Sequence, residues 1–135
     1  MNLYNCNTLN DKNLIYLPTS LQILELYHCN NINGEGFKYL PSSITELNLT
    51  SLSSLKEESF QFIPSTIQDL ELNNNPNLTN ELFNYLPSTL LSLKIFHKDL
   101  NFTRESVEEL KKKNTNLEVK VVFDSLHGTN TILNQ

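Results

Sequence analysis

The amino-acid sequence predicts an α/β solenoid: a curved right-handed array with a parallel β-sheet on its concave face and short helices on its convex face. Three observations carry that expectation. The pairs Leu17-Pro18, Leu40-Pro41, Ile63-Pro64 and Leu86-Pro87 recur at a step of 23 residues. Self-similarity at a fixed period of this size is the mark of stacked-repeat architectures. Behind each proline comes a Ser/Thr pair and then the same apolar spacing: Leu21/Leu24/Leu26, Ile44/Leu47/Leu49, Ile67/Leu70/Leu72 and Leu90/Leu93/Ile95. Finally, a unit of 23 residues cannot enclose its own core, so each must lean on the next.

The elements follow in order within each unit. The apolar–polar–apolar alternation has a period of two, which predicts a brief strand. Leu24 and Leu26 then face one side, and Glu25 and Tyr27 face the other. The segment before each proline reads as helical, with Phe37 and Leu40, Phe60 and Ile63, and Leu82, Phe83 and Leu86 spaced for one face. Glu57, Glu58 and Glu81 stand where the positive end of a helix favours acids. Thr79 and Thr103 stand where N-caps belong, the latter before the longest helical stretch, Arg104 to Lys113. Proline stops each helix, and the Ser/Thr pair turns the chain toward the next strand. Subtracting one period carries Leu26, Cys29, Ile32 and Tyr39 onto Leu3, Cys6, Leu9 and Tyr16, so the sequence opens partway through a repeat. The expected organisation is a partial repeat over 1–16, repeats over 17–39, 40–62, 63–85 and 86–109, a C-terminal cap over 110–123 and a polar tail over 124–135. At the cap the spacing reads as 24, placing Leu117-x-Val119 behind Leu93-x-Ile95.

Composition narrows the function. The 135 residues amount to one ordinary domain, with 25 leucines, 20 asparagines and no alanine or tryptophan. A formal net charge of −5 argues against a nucleic-acid partner, which would call for a basic face. No apolar run reaches the ~18 residues of a membrane span. The polar stretch from Asn2 to Asn13 lacks the basic and apolar regions of a signal peptide. Two cysteines make no disulfide framework. The expected setting is cytoplasmic, intracellular and reducing.

Over residues 1 to 123 the sequence resembles the leucine-rich repeat family. The run Leu24-x-Leu26-x-x-Cys29-x-x-Ile32, followed by Gly36-Phe37 and Leu40, looks like the cysteine-containing subclass associated with F-box substrate receptors. Leu52, Asn75 and Lys98 replace the cysteine in later copies. The phrase Phe60-x-x-Ile63-Pro64-Ser65-Thr66-Ile67-x-x-Leu70 is similar to FNIP-type repeats. The resemblance implies a non-catalytic protein–protein interaction module, with substrate recognition for ubiquitination as one role. The alternative is part of a larger repeat array with a structural or self-association role, because an open strand edge at Leu3 invites pairing with another chain.

Stacked strands place equivalent residues in columns about 4.8 Å apart. One column reads Asn2, Glu25, Asn48, Glu71, Lys94, Glu118. The next reads Tyr4, Tyr27, Thr50, Asn73, Phe96, Lys120. A third reads Asn5, His28, Ser51, Asn74, His97, and on the other flank lie Ile23, Glu46, Asp69 and Ser92. The binding candidates are therefore Tyr4, Glu25, Tyr27, His28, Glu46, Asp69, Glu71, Lys94, Phe96 and His97. Glu25, Glu46, Asp69 and Glu71 form either a plain solvated face or an acidic patch for a partner with a basic surface. Tyr27 and Phe96 are either decoration or binding anchors.

The search for chemistry yields no catalytic residue, metal site or cofactor. Cys6 and Cys29 occupy neighbouring repeats and read as a thiol column of small hydrophobes, with a bridge as the competing reading. A zinc site would need four soft ligands, and His28 beside Cys29 does not supply them. There is no glycine-rich phosphate loop; Gly34 and Gly36 suit a turn and a close approach. No nucleophile-elbow spacing singles out a serine. Lys111-Lys112-Lys113 suits the negative end of the last helix.

Overall fold

The computed structural model describes the backbone over residues 1–97, 101–123 and 131–134, and side chains over 1–96 and 101–122. The chain is α/β. Its seven-stranded sheet runs in sequence order, with strands β1 (Asn2–Tyr4), β2 (Ile23–Tyr27), β3 (Glu46–Thr50), β4 (Asp69–Asn73), β5 (Ser92–His97), β6 (Glu118–Phe123) and β7 (Thr131–Asn134). The first six are parallel, and β7 pairs antiparallel with β6. Part of the segment expected to be a polar tail is thus a strand. Residues 124–130 and 135, like Lys98, lie outside the described residues.

From β1 to β5 every pairing advances by the sequence period: Leu3, Leu26, Leu49, Leu72 and Ile95 stand in one row. The apolar strand residues face inward. Leu24, Leu26, Leu47, Leu49 and Leu93 are fully buried, with Phe37, Phe60 and Ile67 packed behind them. Alternation along a strand puts the intervening residues on the opposite, outward face.

Each strand from β1 to β4 is followed by a residue with positive φ: Asn5 (50°), His28 (52°), Ser51 (54°) and Asn74 (51°). Side chains other than glycine rarely adopt this conformation, and asparagine and histidine do so more readily than most. The turn still extends the ladder, because the amides of these four residues donate to Tyr27, Thr50, Asn73 and Phe96 carbonyls at 2.8–3.0 Å. It then swings the chain inward, so that Cys29, Leu52 and Asn75 are buried.

The helical segments differ from expectation in kind. Asp11–Tyr16, Glu35–Tyr39, Glu57–Phe62 and Asn80–Asn84 are 3₁₀ turns. They close on i→i+3 bonds such as Leu40 N–H to Phe37 O at 3.1 Å, and in the first three proline follows the closing residue, which prevents continuation. Among the described residues, only the last unit has a full α-helix, α1 (Arg104–Lys113). Thr103 caps it through Ser106 N–H, and Thr79 caps its own turn through Glu81 N–H, both as expected.

The last unit also corrects the register. Leu93 pairs with Val119, Ile95 with Val121 and Lys94 with Lys120, a step of 26 and not 24. The extra length is absorbed where α1 replaces a 3₁₀ turn. Glu118 accordingly sits beside Ser92, and Lys120 beside Lys94, two residues away from their expected columns.

Neighbouring turns are stitched across the period. The Asp11 carboxylate accepts from the amides of Asn33 (2.9 Å), Gly34 (3.0 Å) and Gly36 (2.7 Å). The same register position continues as Glu57, accepting from Thr79 N–H, and Asn80, accepting from Thr103 N–H at 2.9 Å. A Cβ at Gly36 would lie 2.3 Å from the Asp11 carbonyl oxygen, so glycine is required there. Gly34 has φ +96° and its would-be Cβ would strike Ser59.

Candidate functional site

The outward face of the sheet is built from the side chains that the strand alternation excludes from the core. At one end Tyr4 and Tyr27 stack with ring centroids 4.4 Å apart and planes 11° from parallel. Tyr4 is 57% exposed. Burial, and after it the negative charge of Glu25, pushes the Tyr27 phenol pKa above its ordinary value.

In the middle lie Glu25, Glu46, Asp69 and Glu71, brought together as the columns require: Glu46 pairs with Asp69, and Glu25 and Glu71 flank Asn48. Like charges on adjacent strands repel. Two asparagines offset this. Asn48, 9% exposed, donates from Nδ2 to Glu25 Oε1 and Glu46 Oε1, each at 3.2 Å. Asn73 donates from Nδ2 to Glu71 Oε1 at 2.9 Å and Thr50 Oγ1 at 3.3 Å. Its Oδ1 is buried and, among the described residues, meets no hydrogen-bond partner.

At the far end Lys94 and Lys120 are register neighbours, and the Lys120 ammonium lies 5.9 Å from the centre of the Phe96 ring. A depression of about 190 Å³ sits where the acidic and basic regions meet, lined by Glu46, Asn48, Asp69, Leu70, Glu71, Ser92 and Lys94. It is smaller than the ~300 Å³ at which small-molecule sites begin. It suits one side-chain head group.

Two expected residues stand apart. His28 is exposed, on the left-handed turn beyond β2 and not on the strand. The His97 backbone ends β5 opposite Phe123, and its side chain lies outside the described residues. Asn48, Asn73 and Lys120 belong to the face but were not among the binding candidates. The first two carry no charge to mark them. Lys120 was displaced by the register slip; its position between inward Val119 and Val121, like Lys94 between Leu93 and Ile95, is the signal that places it.

Cys6 and Cys29 are free thiols in one column. Cys29 is fully buried, and its Sγ donates to Leu3 O at 3.7 Å and Tyr27 O at 3.5 Å. Burial pushes its thiol pKa up, so it stays protonated. Iodoacetamide on the native protein is expected to label Cys6 and spare Cys29, read by peptide mass spectrometry. Equal labelling of both without denaturant would contradict this burial.

Among the described residues, no group of three or more His, Cys, Asp or Glu side chains is placed to hold a metal ion. No helix there is long and apolar enough to cross a membrane. In comparisons with family models, curated proteins and solved structures, no match to this chain is found.

Proposed function

We propose that this chain is a leucine-rich repeat solenoid whose function is non-catalytic: it binds another protein on the outward, concave face of its sheet. The observation that carries this reading is the face itself. A parallel ladder with a buried inner side holds an exposed aromatic stack and oriented carboxylates in fixed columns. Rigid presentation lowers the ordering cost of binding, and exposed aromatics anchor interfaces more often than aliphatic residues. The acidic middle favours a partner with a basic surface. Substrate recognition for ubiquitination is the role that the resemblance to F-box-associated repeats implies. An intracellular setting accords with free thiols at Cys6 and Cys29.

The test is Tyr27→Ala. Its ring lies on the outward side and fills no core space, so stability is expected to stay within about 1 kcal/mol of the parent by thermal unfolding. A partner recovered on the parent chain should bind at least tenfold more weakly to the variant, the loss typical of an aromatic anchor. A partner retained at full affinity, or one whose hydrogen-exchange footprint falls on the 3₁₀ turns, would refute the assignment of the face.

Self-association is a second reading. Among the described residues β1 pairs on one side only, with β2, and an unpaired strand side is a template for another chain. A molar mass by light scattering that holds at one protomer across concentrations counts against it.

A further inference from the structure

The register step of 26 has a consequence for what this face accepts. Had the step been 24, Lys94 would stand beside Glu118, and Lys120 would be in the aromatic column. Instead Lys94 and Lys120 are adjacent, with Phe96 and Val122 adjacent next to them. Glu25, Glu46, Asp69 and Glu71 thereby lie on β2 to β4, and Lys94 and Lys120 lie together on β5 and β6, with Glu71 beside Lys94 on one side and Glu118 beside Ser92 on β6. Among the described residues, no salt bridge joins the two regions; the close ion pair is Lys56–Glu35, between two 3₁₀ turns. Both charge blocks therefore remain available to a partner.

We infer that this face takes an extended segment of a partner protein running across the strands, with a Lys or Arg over Glu46, Asp69 and Glu71 and, three residues along, an Asp or Glu over Lys94 and Lys120. This rests on the proposed binding function and specifies the occupant. The spacing follows from geometry. Glu46, Asp69 and Glu71 centre between β3 and β4, nearer β4, and the basic pair lies between β5 and β6, just under two strand spacings of about 4.8 Å, or roughly 9 Å. An extended chain advances about 3.3 Å per residue, so about three residues span it.

The depression at the boundary is the place for the basic head group. Its 190 Å³ holds one guanidinium, whose planar fork matches carboxylates. Asn48 and Asn73 already orient three of the four carboxylates, so little side-chain freedom remains to be lost there. A second copy of the chain would meet these blocks only about a two-fold axis that lays one whole sheet face on the other; an extended segment reaches them with one backbone.

Three blocked twelve-residue peptides on a Gly/Ser background test this by NMR titration at low salt: Arg with Glu three residues later, Arg with Gln at that place, and Arg with Glu seven residues later. The first is expected to bind at least threefold tighter than the other two, with shifts on β3 to β6. Lys94→Glu, on an exposed side chain, should erase that advantage while leaving the thermal midpoint unchanged, and Lys120→Glu serves as the second variant. If the Arg/Gln peptide binds as well as the Arg/Glu peptide, the inference falls and the basic-partner reading stands. If none of the three binds, both fall. If the parent chain dimerises in sedimentation and Lys94→Glu dissociates it, the occupant is a second copy and the inference is overturned.

Discussion

Phe60→Ala is expected to lower stability by about 3–5 kcal/mol, the range for removing a buried phenyl ring. Phe60 is completely buried and sits edge-on to Phe37, ring centroids 5.8 Å apart. It closes its own 3₁₀ turn, since its carbonyl accepts from Ile63 N–H at 3.3 Å. Its truncation leaves a void between two stacked units, so the damage reaches both. Chemical denaturation with two probes measures it. A loss under 1 kcal/mol would mean the ring is replaceable and the core is not stacked as described.

Asn75→Ala is expected to cost nearly as much, about 2–5 kcal/mol, for a different reason. Asn75 is 1% exposed. Its Oδ1 accepts from Leu52 N–H at 2.9 Å, and its Nδ2 donates to Leu49 O at 3.0 Å. Both backbone groups belong to the preceding unit and are buried with the side chain. Removing the amide leaves the buried Leu52 N–H unpaired, at about 1–3 kcal/mol, and takes from the Leu49 carbonyl, which lies in the β3–β4 ladder, a second bond worth about 0.5–1.5 kcal/mol. Cys29 is the counterpart two periods earlier: its Sγ reaches Leu3 O, the carbonyl equivalent to that of Leu49. Asn75→Cys should therefore recover part of the loss, restoring a donor to Leu49 but no acceptor to Leu52. Equal stability of the alanine and cysteine variants in denaturant titration would refute the shared role.

The inward and outward sides of β2 to β5 were legible from the alternation of Leu24, Glu25, Leu26 and Tyr27 and its copies, because a side-chain period of two leaves no other assignment once one side must be buried. The acidic cluster was legible for the same reason, since the 23-residue step fixes which residues are neighbours. The caps at Thr79 and Thr103 were legible because hydroxyl side chains there bond amides two or three residues away. All of this is local chemistry multiplied by a constant step.

What the sequence left open lies wherever the step changes or two units touch. Leu117-x-Val119 and Val119-x-Val121 both satisfy the alternation, and only packing of α1 through Val107 and Leu110 against the core selects the second. That selection moved Lys120 beside Lys94. The short turns became 3₁₀ because proline follows one or two residues after the closing bond, leaving no room for a second i→i+4 ring. Asn75 reads as one of many asparagines until its amide is seen to bond the Leu49 carbonyl and the Leu52 N–H of the preceding unit. By itself, then, the sequence determined the repeat, its inside and its outside, because periodicity and burial are properties of each unit. The tertiary structure alone decided the charge order across the face and the bonds between units, because both depend on how far one unit slides along the next.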